Sequence, residues 1–502
     1  MAHAYAYMKK KDLHTLVHAL SPAEKKFFKE YASGNATAEK NYVRLFDAIA
    51  AQKEFDDDVL KKQFKAEKFV ANFHVAKAYL FDLLLEALTH MEVHQSSISR
   101  YRMLMNEALI LFNKNLFDLA LDRTEKAREI CNKLDWPLLK TEAMLMQLRI
   151  LNRKDLVFAG KYFTEVCYPE LMQLNKAIEQ QLEIRHLHKK VSYTANSSGR
   201  FRTKEDEEMV TNLLENELIT QPDKLQSFDT ILAYYSIMAY YHWLKNDFAN
   251  AFEFEEKKWT LFNNYPERVK ENTQDCATLL YNLTQISFAK FWEEKARRYL
   301  KTLENLPAHT KEDRLFVRNK YVRACFVHLR VADRQQHKKL QPLLEPLIKD
   351  LQSILPQLDN LERLRSLYEA IVVLMRFEKY SEAIDYIQQF VNEPEVEELR
   401  PIHYPFVRLF LLICHYELGN YDILLSMINN ASYALKKKNK LYHIEQLFFR
   451  FFKKLLNTSG KAEQKKLIAE MGASITTIGE DPYEKTGLDF LGHVLWFEKN
   501  VK

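Results

Sequence analysis

The sequence predicts an all-α chain organised as an α-solenoid of helix hairpins behind an N-terminal helical segment. Three observations lead there. Nine glycines in 502 residues are few for the length, and the turn dipeptides of all-β chains are nearly missing. Leu, Ala, Glu, Lys and Gln fill long unbroken runs. A small residue recurs in similar hairpins at multiples of about 43 positions: Ala120, Ala251, Ala296, Ala383 and then Leu424 stand 131, 45, 87 and 41 apart. The expected divisions are 1–98 for the N-terminal segment, 99–456 for the repeats and 457–502 for a C-terminal cap.

The N-terminal segment has its own punctuation. Ser21-Pro22-Ala23-Glu24 reads as a capping box, with proline at the first helical position, where its missing N–H costs nothing. The helix that follows runs through Phe27, Phe28 and Tyr31 to a stop at Gly34-Asn35. A second covers about 38–52 with Tyr42, Leu45, Phe46 and Ile49 inward. A third starts at Asp56–Asp58, acids that suit a helix N-terminus. It breaks near 65–68 and resumes through Phe73, Ala76, Tyr79, Leu80, Leu83, Leu84 and Ala87.

The stretch Tyr101–Leu151 shows the repeating unit, two helical runs broken at Asn113-Lys114-Asn115. In the second run Phe117, Ala120, Leu121, Thr124, Ala127, Ile130, Cys131 and Leu134 recur at helical steps and share one face. Such a hairpin cannot bury its apolar face alone and needs similar units beside it. Pro137, Pro222, Pro266, Pro307, Pro356 and Pro394 follow a similar step and are read as hairpin ends, whereas Pro169, Pro342, Pro346, Pro401 and Pro405 do not fit it. Further hairpins are expected around 161–181, 205–218 and 315–355. After Asn457 five of the nine glycines crowd into 460–492. A last helix is expected at Leu488–Phe497, closing the exposed face of the final repeat.

The turns carry a family resemblance. Asn115-Leu116-Phe117-Asp118-Leu119-Ala120 resembles the turn of a tetratricopeptide repeat, with Ala127 at the second small position. Asn246–Ala251, Glu378–Ala383 and Gly419–Leu424 are similar, each with an aromatic three residues before a small or aliphatic one. The likeness covers roughly 100–455 and departs from the family in its step of about 43 rather than 34. LSPAEKKFFKEYA, KNYVRLFDAI and DPYEKTGLDFLGHVLWFE are also similar to segments of a group of large helical-repeat proteins from Bacteroidetes. The resemblance implies that first helices line a concave groove. Tyr240, Trp243, Tyr281, Gln285, Arg318, Arg323, Arg365, Tyr368 and Arg376 are the groove candidates, because aromatics and arginine favour interface centres. Ordinary packing explains the same residues and stays open beside it. The Lys and Asn set with which chaperone-binding members clamp a carboxylate finds no match here.

Motifs for chemistry are scarce. The glycines form neither G-x-G nor G-K-[ST], and no G-x-S-x-G occurs. His90 and His94 have the i, i+4 spacing of a zinc pair, but no third ligand is near and Glu92 points away; a solvated helix end is the plainer reading. No metal and no cofactor are expected. Arg185–Lys204 holds six cations and no acid, interleaved with Tyr193 and Phe201. Ser197-Ser198-Gly199 suggest a flexible loop there, with Lys189, Lys190, Arg200 and Arg202 as anion-binding candidates; a solvated connection explains it equally.

The totals bound the rest. Five single cysteines in apolar patterns fit small buried hydrophobes in a reducing, cytoplasmic setting. The opening residues lack a signal-peptide core, no 18-residue stretch is free of charge, and a net charge of +5 is weak for this length. The function expected is a non-catalytic scaffold that binds a protein or peptide in its groove. The alternative is a nucleic-acid-associated regulator using the N-terminal segment or the 185–204 stretch. Against the alternative, residues 1–100 carry 15 Lys/Arg and 13 Asp/Glu, so no basic face stands out.

Overall fold

The computed structural model describes residues 11–33, 39–92, 96–198, 200–201, 203–332, 334–394, 396–399, 403–437 and 443–478, with 480–481, 483–484, 488 and 496. Among the described residues every regular element is helical and none is a strand. No helix among them is long and apolar enough to cross a membrane. The chain divides into two compact units, Met1–Leu171 and Met172–Lys502.

The first unit opens with α1 (Asp12–Ala19), α2 (Pro22–Ser33), α3 (Glu39–Ala51), α4 (Asp57–Gln63) and α5 (Phe73–Glu92). The capping box forms as the sequence implies. Ser21 N–H donates to Glu24 Oε2 at 2.6 Å, and Glu24 N–H donates to Ser21 Oγ at 3.3 Å. Asp56 caps α4, its Oδ1 accepting from the Asp58 and Val59 amides. The break after α4 is a short 3-10 turn at Lys68–Asn72. Leu13, Val17, Phe28, Leu45, Phe46, Leu80 and Leu84 form the core between these helices. The expected stop at Gly34-Asn35 and His94 lie outside the described residues, and the exposed His90 ring rests 5.3 Å from Tyr31.

Three further helices, α6 (Ser97–Asn113), α7 (Phe117–Leu134) and α8 (Pro137–Lys154), pack each on the next. Ala120, Thr124, Ala127, Cys131 and Leu134 are buried along α7, the face its spacing marks out. Then α9 (Leu156–Tyr162) passes through a π turn at Phe163–Cys167 into α10 (Tyr168–Ser198). This replaces the hairpin expected at 161–181. Nothing in that stretch takes a left-handed turn, and Ala177, Ile184, Leu187 and Val191 keep one buried face along α10. The flexible loop expected across 185–204 is likewise helical as far as Ser198, for the same reason.

The second unit continues through α11 (Lys204–Leu213) and the single-turn α12 (Glu217–Thr220), so the stretch expected to form a hairpin at 205–218 holds one full helix and one turn. It then presents successive pairs. These are α13 (Phe228–Leu244) with α14 (Phe248–Asn264), followed after the one-and-a-half-turn α15 (Pro266–Glu271) by α16 (Thr273–Ala289) with α17 (Glu293–Glu304). Next come α18 (Lys311–Val331) with α19 (Arg334–Ile354) and α20 (Asn360–Arg376) with α21 (Tyr380–Val391). After α22 (Val396–Leu399) come α23 (His403–Glu417) with α24 (Tyr421–Lys437), then α25 (His443–Leu456) and α26 (Lys461–Ile478). The helices of each pair pack together, and α16, α18, α20 and α23 pack in turn on one another.

One turn geometry recurs. Asn115, Asn246, Phe291, Glu378 and Gly419 all have positive φ, between 58° and 77°, two residues before a second helix begins. In every case the next residue's N–H donates to the carbonyl five positions back, as Asp247 does to His242 at 2.8 Å and Lys379 to Leu374 at 2.8 Å. This arrangement satisfies carbonyls that a helix end leaves without partners. Three residues into each second helix sit Ala120, Ala251, Ala296, Ala383 and Leu424, all 0–1% exposed. The residues that mark the 43-residue step therefore share one structural position.

Of the expected last helix, only Leu488 and Trp496 are described. Trp496 is buried, stacks on Phe452 at 5.5 Å and donates from Nε1 to Glu417 at 2.6 Å. Four cysteines are buried and Cys325 is partly so.

Candidate functional site

The second unit encloses a cavity of about 320 Å³. Its walls are the first helices α13, α16, α18 and α20, together with Phe248, Ala251 and Glu255 of the second helix α14 and Ala195 of α10. Helix α16 contributes Thr278, Tyr281, Asn282, Gln285, Ile286 and Ala289, steps of three and four that put one stripe on one wall. Helix α18 adds Lys320, Arg323 and Arg330, and α20 adds Arg365, Tyr368 and Glu369, at the same kind of spacing. Tyr240 and Trp243 on α13 close one end together with Arg200, and His403 stands at the start of α23.

Seven of the groove candidates thus meet around one cavity: Tyr240, Trp243, Tyr281 and Gln285 with Arg323, Arg365 and Tyr368. Arg318 and Arg376 do not join them. Arg318 lies two residues from Lys320, about 200° around the helix. It points to solvent and holds Asp350 Oδ1 of α19 through Nε at 2.9 Å and Nη2 at 2.6 Å. Arg376 is at the end of α20, where Nη2 donates to the Ala332 carbonyl at 2.8 Å. Lys189 and Lys190 are exposed on α10, and Arg202 lies outside the described residues. Arg200 reaches the cavity, its guanidinium 5.2 Å from the Phe248 ring and 5.9 Å from Trp243.

The cavity floor is a buried charge network that first-helix register alone did not reveal. Glu362, 4% exposed, accepts from Lys320 Nζ at 3.1 and 3.2 Å and from Arg323 Nη1 at 3.1 Å. Arg365 Nη1 donates to it at 2.6 Å and Asn319 Nδ2 at 3.0 Å; Ser366 Oγ in turn fixes Asn319 at 2.7 Å. A second carboxylate, Glu369, accepts from Arg330 Nη1 at 2.8 Å and from the Tyr281 hydroxyl at 3.2 Å. Arg323 links the two halves, donating from Nη2 to the Tyr281 oxygen at 3.3 Å and lying 4.5 Å from its ring. Lys320 and Arg330 stand three and seven residues from Arg323, and Glu362 and Glu369 three and four from Arg365. Nothing in the sequence distinguishes them from the solvated charges that crowd other helices.

Electrostatics records the crowding. Burial, then the neighbouring Arg323, pushes the Lys320 ammonium down to about 7 despite its contacts with Glu362. Burial opposes the Glu362 charge, but Arg323, Lys320 and Arg365 outweigh it and hold the carboxyl at about 2. Burial raises the Tyr281 phenol to about 12. At the edge of the cavity Glu255 is paired with Lys258 at 2.8 Å and accepts from Asn282 at 3.1 Å.

A neighbouring cavity of about 420 Å³ shares Tyr240 and is lined by His188, Lys258, Arg268 and Asp275 among others. The His188 ring lies 5.8 Å from Tyr240, and burial followed by Lys258 pushes its pKa down to about 4. The arrangement as a whole offers rigid cationic donors beside aromatic faces, which suits recognition of an anionic group. No protein-family profile, curated protein or solved structure matches this chain.

Proposed function

We propose that this chain is a non-catalytic binding protein whose tetratricopeptide-like helix pairs form an α-solenoid, with the α13–α20 cavity receiving an acidic segment of a protein or peptide. The carrying observation is that seven of the first-helix residues that the resemblance pointed to line one cavity, with arginines beside aromatic rings. The shared turn geometry supports the array reading, because pairs of like register place equivalent side chains along a common surface. Arginine supplies fixed planar donors for carboxylates and backbone carbonyls. Among the described cations of the basic stretch, Lys189 and Lys190 are exposed on α10 and Arg200 lines the cavity.

Photo-crosslinking tests the reading. A photoreactive residue in place of Gln285 should capture a polypeptide, and the capture should fall when Arg365→Glu is added. Crosslinks that persist unchanged in that double variant, or that form only from a residue outside the cavity, would remove the proposal.

A further inference from the structure

Buried charges in proteins are ordinarily matched, because an unpaired one loses its hydration with no opposite charge to offset the loss. The floor of the cavity departs from this. Lys320, Arg323 and Arg330 are 2%, 6% and 7% exposed, and half-buried Arg365 adds a fourth cation. Glu362 and Glu369 are the carboxylates that contact them. Four cations against two carboxylates leave two positive charges when Lys320 holds its proton and one when it does not. The nearby Glu255 is already engaged with Lys258. Arg323 Nε is buried and has no hydrogen-bond partner among the described residues, while Nη1 donates to Glu362 and Nη2 to Tyr281.

We propose that the cavity floor formed by Lys320, Arg323, Arg330 and Arg365 is a binding site for a dianionic oxyanion of the phosphate-monoester class. The excess of two charges matches a dianion, and arginine forks suit its tetrahedral oxygens. Tyr281, Tyr368 and Trp243 line the same cavity, giving the ester group flat apolar walls. A volume of about 320 Å³ lies near the lower end of small-ligand cavities, roughly 300–1,000 Å³. The depressed Lys320 ammonium fits as well, since an arriving dianion supplies the counter-charge that returns its proton.

The site shares the cavity with the polypeptide reading and does not rest on it. A phosphate monoester reaches it as a free small molecule or as a phosphorylated side chain, and the test separates the two. Isothermal titration of the full chain in chloride buffer uses inorganic phosphate, phenyl phosphate, a phosphotyrosyl peptide and a glutamate-rich peptide. Phosphate should bind and phenyl phosphate should bind more tightly. Arg365→Gln should weaken both roughly tenfold through the loss of one charge-assisted donor. Glu369→Gln should tighten them, a direction that misfolding cannot imitate. Tightest binding of the phosphotyrosyl peptide makes a modified side chain the natural source, and binding of the free esters alone makes it a small molecule. Absence of phosphate and phenyl phosphate binding in both the parent and Glu369→Gln overturns the site. So does equal affinity across the parent and both variants. If the glutamate-rich peptide binds while neither ester does, the polypeptide reading stands and the oxyanion site falls.

Discussion

Replacing Glu362 with glutamine probes the charge network at its centre. The side chain keeps its volume, so no cavity opens, and its remaining oxygen still accepts from one donor. What is lost is a negative charge that receives five contacts within 3.2 Å from Asn319, Lys320, Arg323 and Arg365. Removing one partner of a buried ion pair costs about 3–5 kcal/mol, because the other is left desolvated and unmatched. Lys320 limits the loss, since its ammonium already titrates at about 7 and is able to shed its proton. A loss of about 3 kcal/mol near neutral pH is therefore expected. The pH dependence follows from the sign. A lysine whose folded pKa lies below its unfolded value gives a stability that rises with pH between the two, because the unfolded chain holds more protons there. Without Glu362 the folded value drops further, so the variant starts to recover at lower pH than the parent. The gap between them should be wider at about pH 5.5 than at about pH 8. Urea unfolding followed by tryptophan fluorescence reads this, since Trp243, Trp259, Trp292 and Trp496 all belong to the second unit. A loss below about 1 kcal/mol, or one equal at the two pH values, would refute the network as drawn.

Other consequences are open to the same kind of measurement. Ala120→Leu should overpack a position that is 0% exposed and cost roughly 1–3 kcal/mol in urea unfolding of the first unit. Phe291 holds φ at 58° and is 78% exposed, so Phe291→Gly should stabilise by roughly 0.5–1 kcal/mol once the added freedom of the unfolded chain is counted. No gain on thermal melting would mean that the ring holds the turn. For His188 the folded pKa is about 4 against an ordinary 6.5, so the unfolded chain takes up the proton first and stability falls as pH drops through that window. His188→Gln should flatten that part of the urea-midpoint profile, and an unchanged slope would place the acid sensitivity elsewhere.

Much of the helical layout was legible because its signals are local. The Ser21 capping box, the Asp56 cap and the small residue three positions into Ala120-type helices each depend on a few adjacent side chains. Helix α10 was not legible in its C-terminal half. Ser197-Ser198-Gly199 and a run of cations suggest a loop, whereas the buried stripe of Ile184, Leu187 and Val191 carries the helix through to Ser198. Tertiary burial overrode composition there. The cavity was legible for residues on the correct stripe, such as Tyr281 and Arg323, and misleading for Arg318, which differs from Lys320 by two positions and so faces Asp350 outside. Glu362 and Glu369 could not be told from exposed acids, because only the packing of α16, α18 and α20 makes them buried.

Arg318 and Arg365 provide the sharpest contrast between cavity and outer surface. Fluorescence anisotropy of a labelled glutamate-rich peptide should give clear binding to the parent and to Arg318→Glu, and a loss of roughly tenfold or more in Arg365→Glu, with circular dichroism unchanged in all three. Equal weakening by the two reversals, or none by Arg365→Glu, would contradict binding in the cavity.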